Sequence, residues 1–406
     1  LEYLYSLLRV PSVSLGIVYD QELLFSKGYG LKNYFNKSSG IPNGNDQVMI
    51  ASNTKVFTAL LFYYLRDHGY NVSLQDPLTK YLPDFKIKNP FNGEQTVRLI
   101  DLISHTAGLP DETPYPYGDT NNITAILEAL SQKYLLFPMS TTFHYSNLGF
   151  SLLGRALETL FCEYGCYEDL VKKYVLDGLG FDEYSGFNYS DEVIEHCAIG
   201  IDNAGYPAPI HSHGFDNPCG GMLASANDMA KFMMFMFRNN YTINDNANQI
   251  FNGTTINEIL KGRSLLNDGL ESVGTPFEMH YAVFDRYYGI NNKAGVWFKG
   301  KQGEVPGYRS CTMMVPKYKL GVFTVALKDP ENISQGSVWS DEIIKMILPY
   351  LDNQLYLNWI NTNKYELPSN YPLLIGKYKI GSSTIELIKT NAIENNKEYL
   401  IFRRSG

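Results

Sequence analysis

The sequence predicts an α/β fold of the α+β kind: an antiparallel sheet flanked by helices, with an inserted all-helical subdomain and a small C-terminal β segment. Three observations predict it. Strand-like runs occupy residues 12–30 and return only between about 281 and 327. Between about 75 and 240 the apolar spacing is helical, broken by long loops. A helical run at about 335–352 follows the last strand-like run, the order expected when a helix covers a sheet.

Taken in order, residues 12–30 read as two strands joined by a turn at Tyr19-Asp20-Gln21-Glu22. Residues 53–68 form an apolar helix, and 110–122 and 187–218 read as long loops. The span 240–275 is rich in Asn and Gly and loosely patterned. Strands are expected at about 281–290, 294–298, 308–315 and 320–327. Gly376-Lys-Tyr-Lys-Ile and Tyr399-Leu-Ile-Phe mark a β-rich tail. We therefore expect a main domain over 1–355 and an appendage over 356–406. The abrupt Arg403-Arg-Ser-Gly406 ending suggests an incomplete appendage, and the start at Leu1 suggests a trimmed or processed chain.

At 406 residues the chain can bury a large core. A hydrophobic content of 44% and a charged content of 19% describe an ordinary globule. The net charge of −8, without a basic run, argues against a nucleic-acid partner. No apolar stretch reaches the ~18 residues of a membrane span. Asn-x-Ser/Thr sequons at Asn36, Asn71, Asn122, Asn188, Asn240, Asn252 and Asn332 favour an extracellular or secretory-pathway glycoprotein. The five cysteines fit neither a disulfide-dense scaffold nor a zinc ribbon, and Cys162 and Cys166 are either a local bridge or two buried thiols.

The chemistry starts at Ser52-Asn-Thr-Lys55, at the head of the apolar helix. Positions i and i+3 share a helix face, so the Lys55 amine can reach the Ser52 hydroxyl. The helix N-terminus adds a partial positive field there. Apolar neighbours Val56, Phe57, Ala59 and Leu60 favour the neutral amine, which accepts the serine proton. The bland alternative is a surface lysine one turn into an ordinary helix.

Tyr145-Ser-Asn147 is the second element. A tyrosine between two amines can shuttle protons, and an asparagine can hold both the lysine and a substrate amide. Tyr34-Phe-Asn36 and Tyr356-Leu-Asn358 match equally well in isolation. The third element is Lys301-Gln302-Gly303-Glu304: the lysine supplies charge, and the glycine on an edge strand allows close backbone approach. Lys293-Ala-Gly295 and Lys319-Leu-Gly321 compete, but only Lys301 precedes Val305-Pro-Gly-Tyr308 and the apolar run 320–327.

Together these motifs resemble the serine β-lactamase and penicillin-binding protein superfamily, specifically its class C-like branch with its eukaryotic β-lactamase-like proteins. Further matches lie at Ser26-Lys-Gly-Tyr-Gly30, Tyr81-Leu-Pro-Asp84, the run Leu99 to Pro110, and Cys219-Gly-Gly-Met-Leu-Ala-Ser-Ala. The resemblance covers roughly residues 10–350. It implies a β-lactamase/DD-peptidase-like fold and a cofactor-independent serine hydrolase acting on a small-molecule or peptide acyl substrate. It makes Ser52 the acylated nucleophile and Lys55 its activator. Tyr145 becomes general acid or base, Asn147 a substrate contact, and Lys301 the positive charge beside them. The N–H groups of Ser52 and Glu304 would form the oxyanion hole, with Gln302, Gly303 and Glu304 lining the substrate.

The third motif departs from the Lys-Thr-Gly-Ser usual in class C enzymes, with Gln302 for the threonine and Glu304 for the serine. A carboxylate at Glu304 would repel anionic substrates unless it points away. We therefore expect esters and D-amino-acid amides or peptides to be accepted and β-lactams to be poor substrates. Two rival readings are a catalytically slow or inactive binding or sensing protein on the same fold, and a metal site at His211-Ser-His213-Gly-Phe-Asp216. The metal site lacks further ligands at fitting spacing. His105 reads as a structural turn residue and His144 as a neighbour packed behind the site.

Overall fold

The computed structural model describes residues 1–2, 5, 10–91, 96–162, 165–238, 250–251, 253–265, 271–274, 277, 279–283, 296–328, 335–362, 375–380, 383–392 and 397–405. They fall into two compact units, Leu1–Asp352 and Asn353–Gly406.

In the first unit the strands are β1 (Ser12–Tyr19), β2 (Glu22–Gly30), β3 (Val48–Met49), β4 (Leu223–Ala224), β5 (Gly262–Leu265), β6 (Glu271–Gly274), β7 (Met279–Val283), β8 (Val296–Val305), β9 (Tyr308–Val315) and β10 (Leu320–Ala326). Eight of them form one antiparallel sheet in the order β2-β1-β10-β9-β8-β7-β6-β5, and β3 pairs with β4 apart from it. The helices that frame the site are α1 (Thr54–Asp67), α2 (Asn147–Glu158) and α3 (Ala226–Met236), and α4 (Gln335–Thr362) begins after the sheet is complete.

β1 is buried at all but its last residue because both faces of the sheet are covered. Val13, Leu15 and Ile17 pack with Met313, Val322 and the α4 residues Trp339, Ile343, Ile344 and Leu348. On the opposite face Phe57, Leu61, Phe150, Leu153, Phe232 and Met233 join the core built by α1, α2 and α3. Each such side chain contributes about 1.5–3 kcal/mol on burial. α3 lies so close to β1 that a Cβ on Gly16 would meet the Ala226 carbonyl oxygen at 3.0 Å.

Several expectations need adjustment. The span 240–275 contains a helix at Gly253–Ile259 and the strands β5 and β6. These are short and Gly/Ser-containing, and pairing of β5 with β6 and of β6 with β7, rather than local pattern, defines them. Residues 284–290 of the expected strand 281–290 lie outside the described residues. The expected strand 294–298 is β8, which runs on to Val305 and so carries Lys301. The helix after the sheet extends to Thr362. The second unit contains a three-stranded antiparallel sheet, β11 (Gly376–Ile380), β12 (Ser383–Ala392) and β13 (Lys397–Ser405). No helix among the described residues is long and apolar enough to cross a membrane.

Candidate active site

A single 3-10 turn, Ala51–Asn53, carries Ser52 into α1. Asn53, at the N-cap position of α1, makes no side-chain capping bond. It spends its amide on the sheet instead: Nδ2 donates to Ser310 Oγ at 2.8 Å, and Oδ1 accepts from Thr312 Oγ1 at 2.8 Å. Ser310 Oγ also donates to the Ile50 carbonyl at 2.7 Å. β9 thus holds the turn from one side. From the other, the Met222 N–H donates to Thr54 Oγ1, and Ile50 N–H donates to the Met222 carbonyl. Ala51 sits at φ +50°, a conformation costly for a residue with a Cβ and sustained by these ties.

Around Ser52 the side chains form a continuous hydrogen-bonded chain. Lys55 is fully buried. Its Nζ lies 2.9 Å from Ser52 Oγ, 2.6 Å from Asn147 Oδ1 and 2.7 Å from the Cys219 carbonyl. Tyr145 Oη reaches Ser52 Oγ at 2.9 Å, and Lys301 Nζ reaches Tyr145 Oη at 3.2 Å. Both amines also lie over the Tyr145 ring, at 4.9 and 5.0 Å from its centroid. The geometry brings Ser52, Lys55, Tyr145, Asn147 and Lys301 together.

Lys301 was expected on an edge strand. β8 pairs with β7 from Val296 to Gly300 and with β9 from Lys299 to Val305. Lys299 and Gly300 are therefore paired on both sides. Around Gly303 the edge of β8 faces the nucleophile turn. A Cβ on Gly303 would sit 2.4 Å from the Ile50 carbonyl oxygen and 3.0 Å from Ser52 N, so glycine is what allows the approach.

Glu304 points away from the nucleophile. Its carboxylate pairs with Arg309, the residue opposite it in the register, at 2.7 Å, and its side chain is 68% exposed. The repulsion expected from this carboxylate is removed by its cross-strand partner.

The Beta-lactamase family model matches residues 6–337. The chain belongs to the beta-lactamase family. It is 34% identical over 359 residues to Beta-lactamase-like protein 2 of Dictyostelium discoideum, covering 86% of this chain and 61% of that protein. Beta-lactamase-like protein 4 of the same organism is 36% identical over 355 residues, covering 84% and 60%. The chain thus spans about three fifths of these curated relatives. Among solved structures, a beta-lactamase/D-alanine carboxypeptidase from Yersinia pestis complexed with citrate superposes with a TM-score of 0.68 at 20% identity, covering 86% of this chain and 96% of that one. A class C beta lactamase from Rhodobacter sphaeroides gives 0.66 at 18%, covering 87% and 97%. These structures show the fold.

Behind Tyr145 this beta-lactamase-family site is braced by histidine. The His105 ring stacks on Tyr145 at 4.3 Å, and its Nδ1 accepts the Ser146 N–H at 3.1 Å. Accepting at Nδ1 requires the unprotonated nitrogen. Burial, then Lys55, Lys301 and His144, hold the His105 pKa well below the usual histidine value. His144 pairs with the Asp111 carboxylate beside the site. His213 stacks on Tyr117, and burial, with smaller contributions from His211 and Lys55, lowers its pKa to about 4. Cys162 and Cys166 are joined as a disulfide, while Cys197, Cys219 and Cys311 are free and buried.

Four contributors escape a reading of the motifs: Asn53, Arg309, Glu112 and the Cys219 carbonyl. Asn147 Nδ2 donates to Glu112 Oε1 at 2.7 Å, which turns Oδ1 of the same amide toward Lys55. Asn53, Glu112 and the Cys219 carbonyl meet partners 35 to 259 residues away, and Arg309 meets Glu304 only through the hairpin register, which no local pattern encodes.

Proposed function

We propose that this protein is a serine acyl hydrolase that works through an acyl-enzyme on Ser52, using Lys55, Tyr145, Asn147 and Lys301. The observation that carries the reading is the chain Lys55–Ser52–Tyr145–Lys301 with Asn147 bound to Lys55. As an ammonium, Lys55 has three N–H groups for its three acceptors. As a neutral amine it keeps two N–H bonds, to Asn147 Oδ1 and the Cys219 carbonyl, and its lone pair then faces the Ser52 hydroxyl. Those two carbonyls orient the base.

In the proposed reaction Ser52 Oγ attacks the substrate carbonyl carbon as its proton passes into the Lys55–Tyr145 pair. Both groups stand 2.9 Å from Oγ, so they act as one coupled acceptor. The oxyanion is bound by the N–H groups of Ser52 and Glu304. Val305 and Tyr308 close a two-residue turn, and hydrogen-bonded pairs alternate back along β8, so the Glu304 N–H points away from β9, to the edge near Ser52. Tyr145 returns the proton to the leaving group, with Lys301 offsetting negative charge on its oxygen. Water then cleaves the ester by the reverse sequence.

Esters and D-amino-acid amides or peptides fit this site better than β-lactams. Gln302 stands where class C enzymes place a threonine, which supports that preference. Cephalosporin turnover at rates of an efficient lactamase would overturn that preference. We also propose an extracellular or secretory-pathway location, which the exposure of the sequon residues Asn36, Asn71, Asn122 and Asn188 supports.

Intact mass after treatment with a fluorophosphonate tests the acyl-enzyme reading. One adduct, absent from Ser52→Ala, is the expected result. No adduct on folded protein would favour a non-catalytic binding protein instead.

A further inference from the structure

We propose that Glu112 selects acyl substrates bearing a free amino group next to the scissile carbonyl. The inference rests on the acyl-enzyme reading and names a substrate class for it.

Two side chains, Asn147 and Lys55, connect Glu112 to Ser52. Glu112 Oε1 accepts from Asn147 Nδ2 at 2.7 Å, Asn147 Oδ1 is 2.6 Å from Lys55 Nζ, and that amine is 2.9 Å from Ser52 Oγ. In an α-amino acyl group the nitrogen lies two bonds, about 2.5 Å, from the carbonyl carbon. With the carbonyl at Ser52, an amine directed along the Asn147 side chain approaches the same carboxylate. A carboxylate offers about four acceptor directions. Asn147 and the Tyr117 hydroxyl occupy one each on Glu112, which is exposed and keeps the rest for a ligand.

The neighbouring carboxylates are committed elsewhere. Glu304 pairs with Arg309 at 2.7 Å, and Asp111 pairs with His144. Asp216 is buried and takes the hydroxyls of Ser151 at 2.6 Å and Thr113 at 2.9 Å. Lys301, joined by Lys55 once that amine holds the serine proton, lies over Tyr145, a field that repels a cationic substrate. Glu112 supplies the opposite charge on the Asn147 side of the cleft, so an ammonium group is favoured there and an N-acylated substrate gains nothing from it.

The test compares kcat/KM for alanine p-nitroanilide and N-acetylalanine p-nitroanilide, in both enantiomers. The free amine is expected to be preferred by about tenfold or more in one enantiomer, mostly through KM. Glu112→Gln brings that ratio near one, and Glu112→Lys shifts preference toward the N-succinyl anilide. A substitution that merely disturbs Asn147 slows both substrates alike and leaves the ratio intact, which would overturn the inference. Should the variants fail to fold, the unsubstituted protein decides. There, 1-aminoethylboronic acid should protect Ser52 from fluorophosphonate about tenfold more effectively than its N-acetyl derivative, and equal protection overturns the inference. Failure of Ser52 to label would instead remove the acyl-enzyme reading, and this inference with it. Labelling without amine preference removes only the inference.

Discussion

Replacing Lys55 with methionine should lower kcat/KM on every acyl substrate by about 10³-fold or more, equivalent to roughly 4 kcal/mol of lost transition-state stabilisation. Methionine fills the buried space without the amine, so Ser52 Oγ loses the base oriented at it from 2.9 Å. Tyr145 keeps its contact with the serine but no longer shares the proton with a partner on the other side. The substitution also leaves the Cys219 carbonyl and Asn147 Oδ1 without their lysine donor, at a cost of about 1–3 kcal/mol of stability for each. Steady-state kinetics alongside thermal unfolding separates the two effects. A folded Lys55→Met protein within tenfold of full activity would show that Tyr145 with Lys301 suffices as the base and that the lysine serves packing.

The second large effect is expected at Gly303. A valine there places its Cβ 2.4 Å from the Ile50 carbonyl oxygen, 2.5 Å from Ser310 Oγ and 3.0 Å from Ser52 N. Two of these atoms are backbone, so the clash is relieved only by moving β8 away from the nucleophile turn. That motion parts the two N–H groups assigned to the oxyanion, and losing one such donor lowers kcat by about 10²–10³-fold. Overpacking adds about 1–3 kcal/mol of destabilisation. The expected signature is a fall in kcat that exceeds any change in KM, in a protein that still unfolds cooperatively. Unchanged kcat in folded Gly303→Val would mean that the β8 edge takes no part in the reaction.

Much of this could be read from the chain. The strands β1, β2, β9 and β10 are long, apolar and bounded by turn residues, and α1 and α2 announce themselves by helical spacing. The Ser52–Lys55 contact is local, three residues apart on one face, and so is visible in a window of a few residues. Glu304 shows the limit. Its chemistry is plain from the sequence, but its direction depends on strand alternation and on Arg309 being opposite it, which only the register gives. Asn53 is similar: next to a helix start it reads as a cap, whereas Ser310 and Thr312 draw its side chain to the sheet. Glu112 is set by a loop whose path no periodicity describes. The short strands β5 and β6 are specified by their neighbours rather than by their own residues.

The chain of contacts through Ser52 also has a temporal meaning. Lys55 lies 3 residues from the serine, Tyr145 lies 93 from it, and Lys301 lies 156 beyond Tyr145. Strand β1, near the start of the chain, finds its partner β10 only when nearly the whole first unit has been made. Such non-local pairing makes for slow folding and leaves early segments without their sheet. A chain still emerging from the ribosome therefore carries the serine and its lysine long before it has a reaction centre. Acylation competence should appear last, so the rate at which refolding protein becomes labelled would time the closing of the sheet.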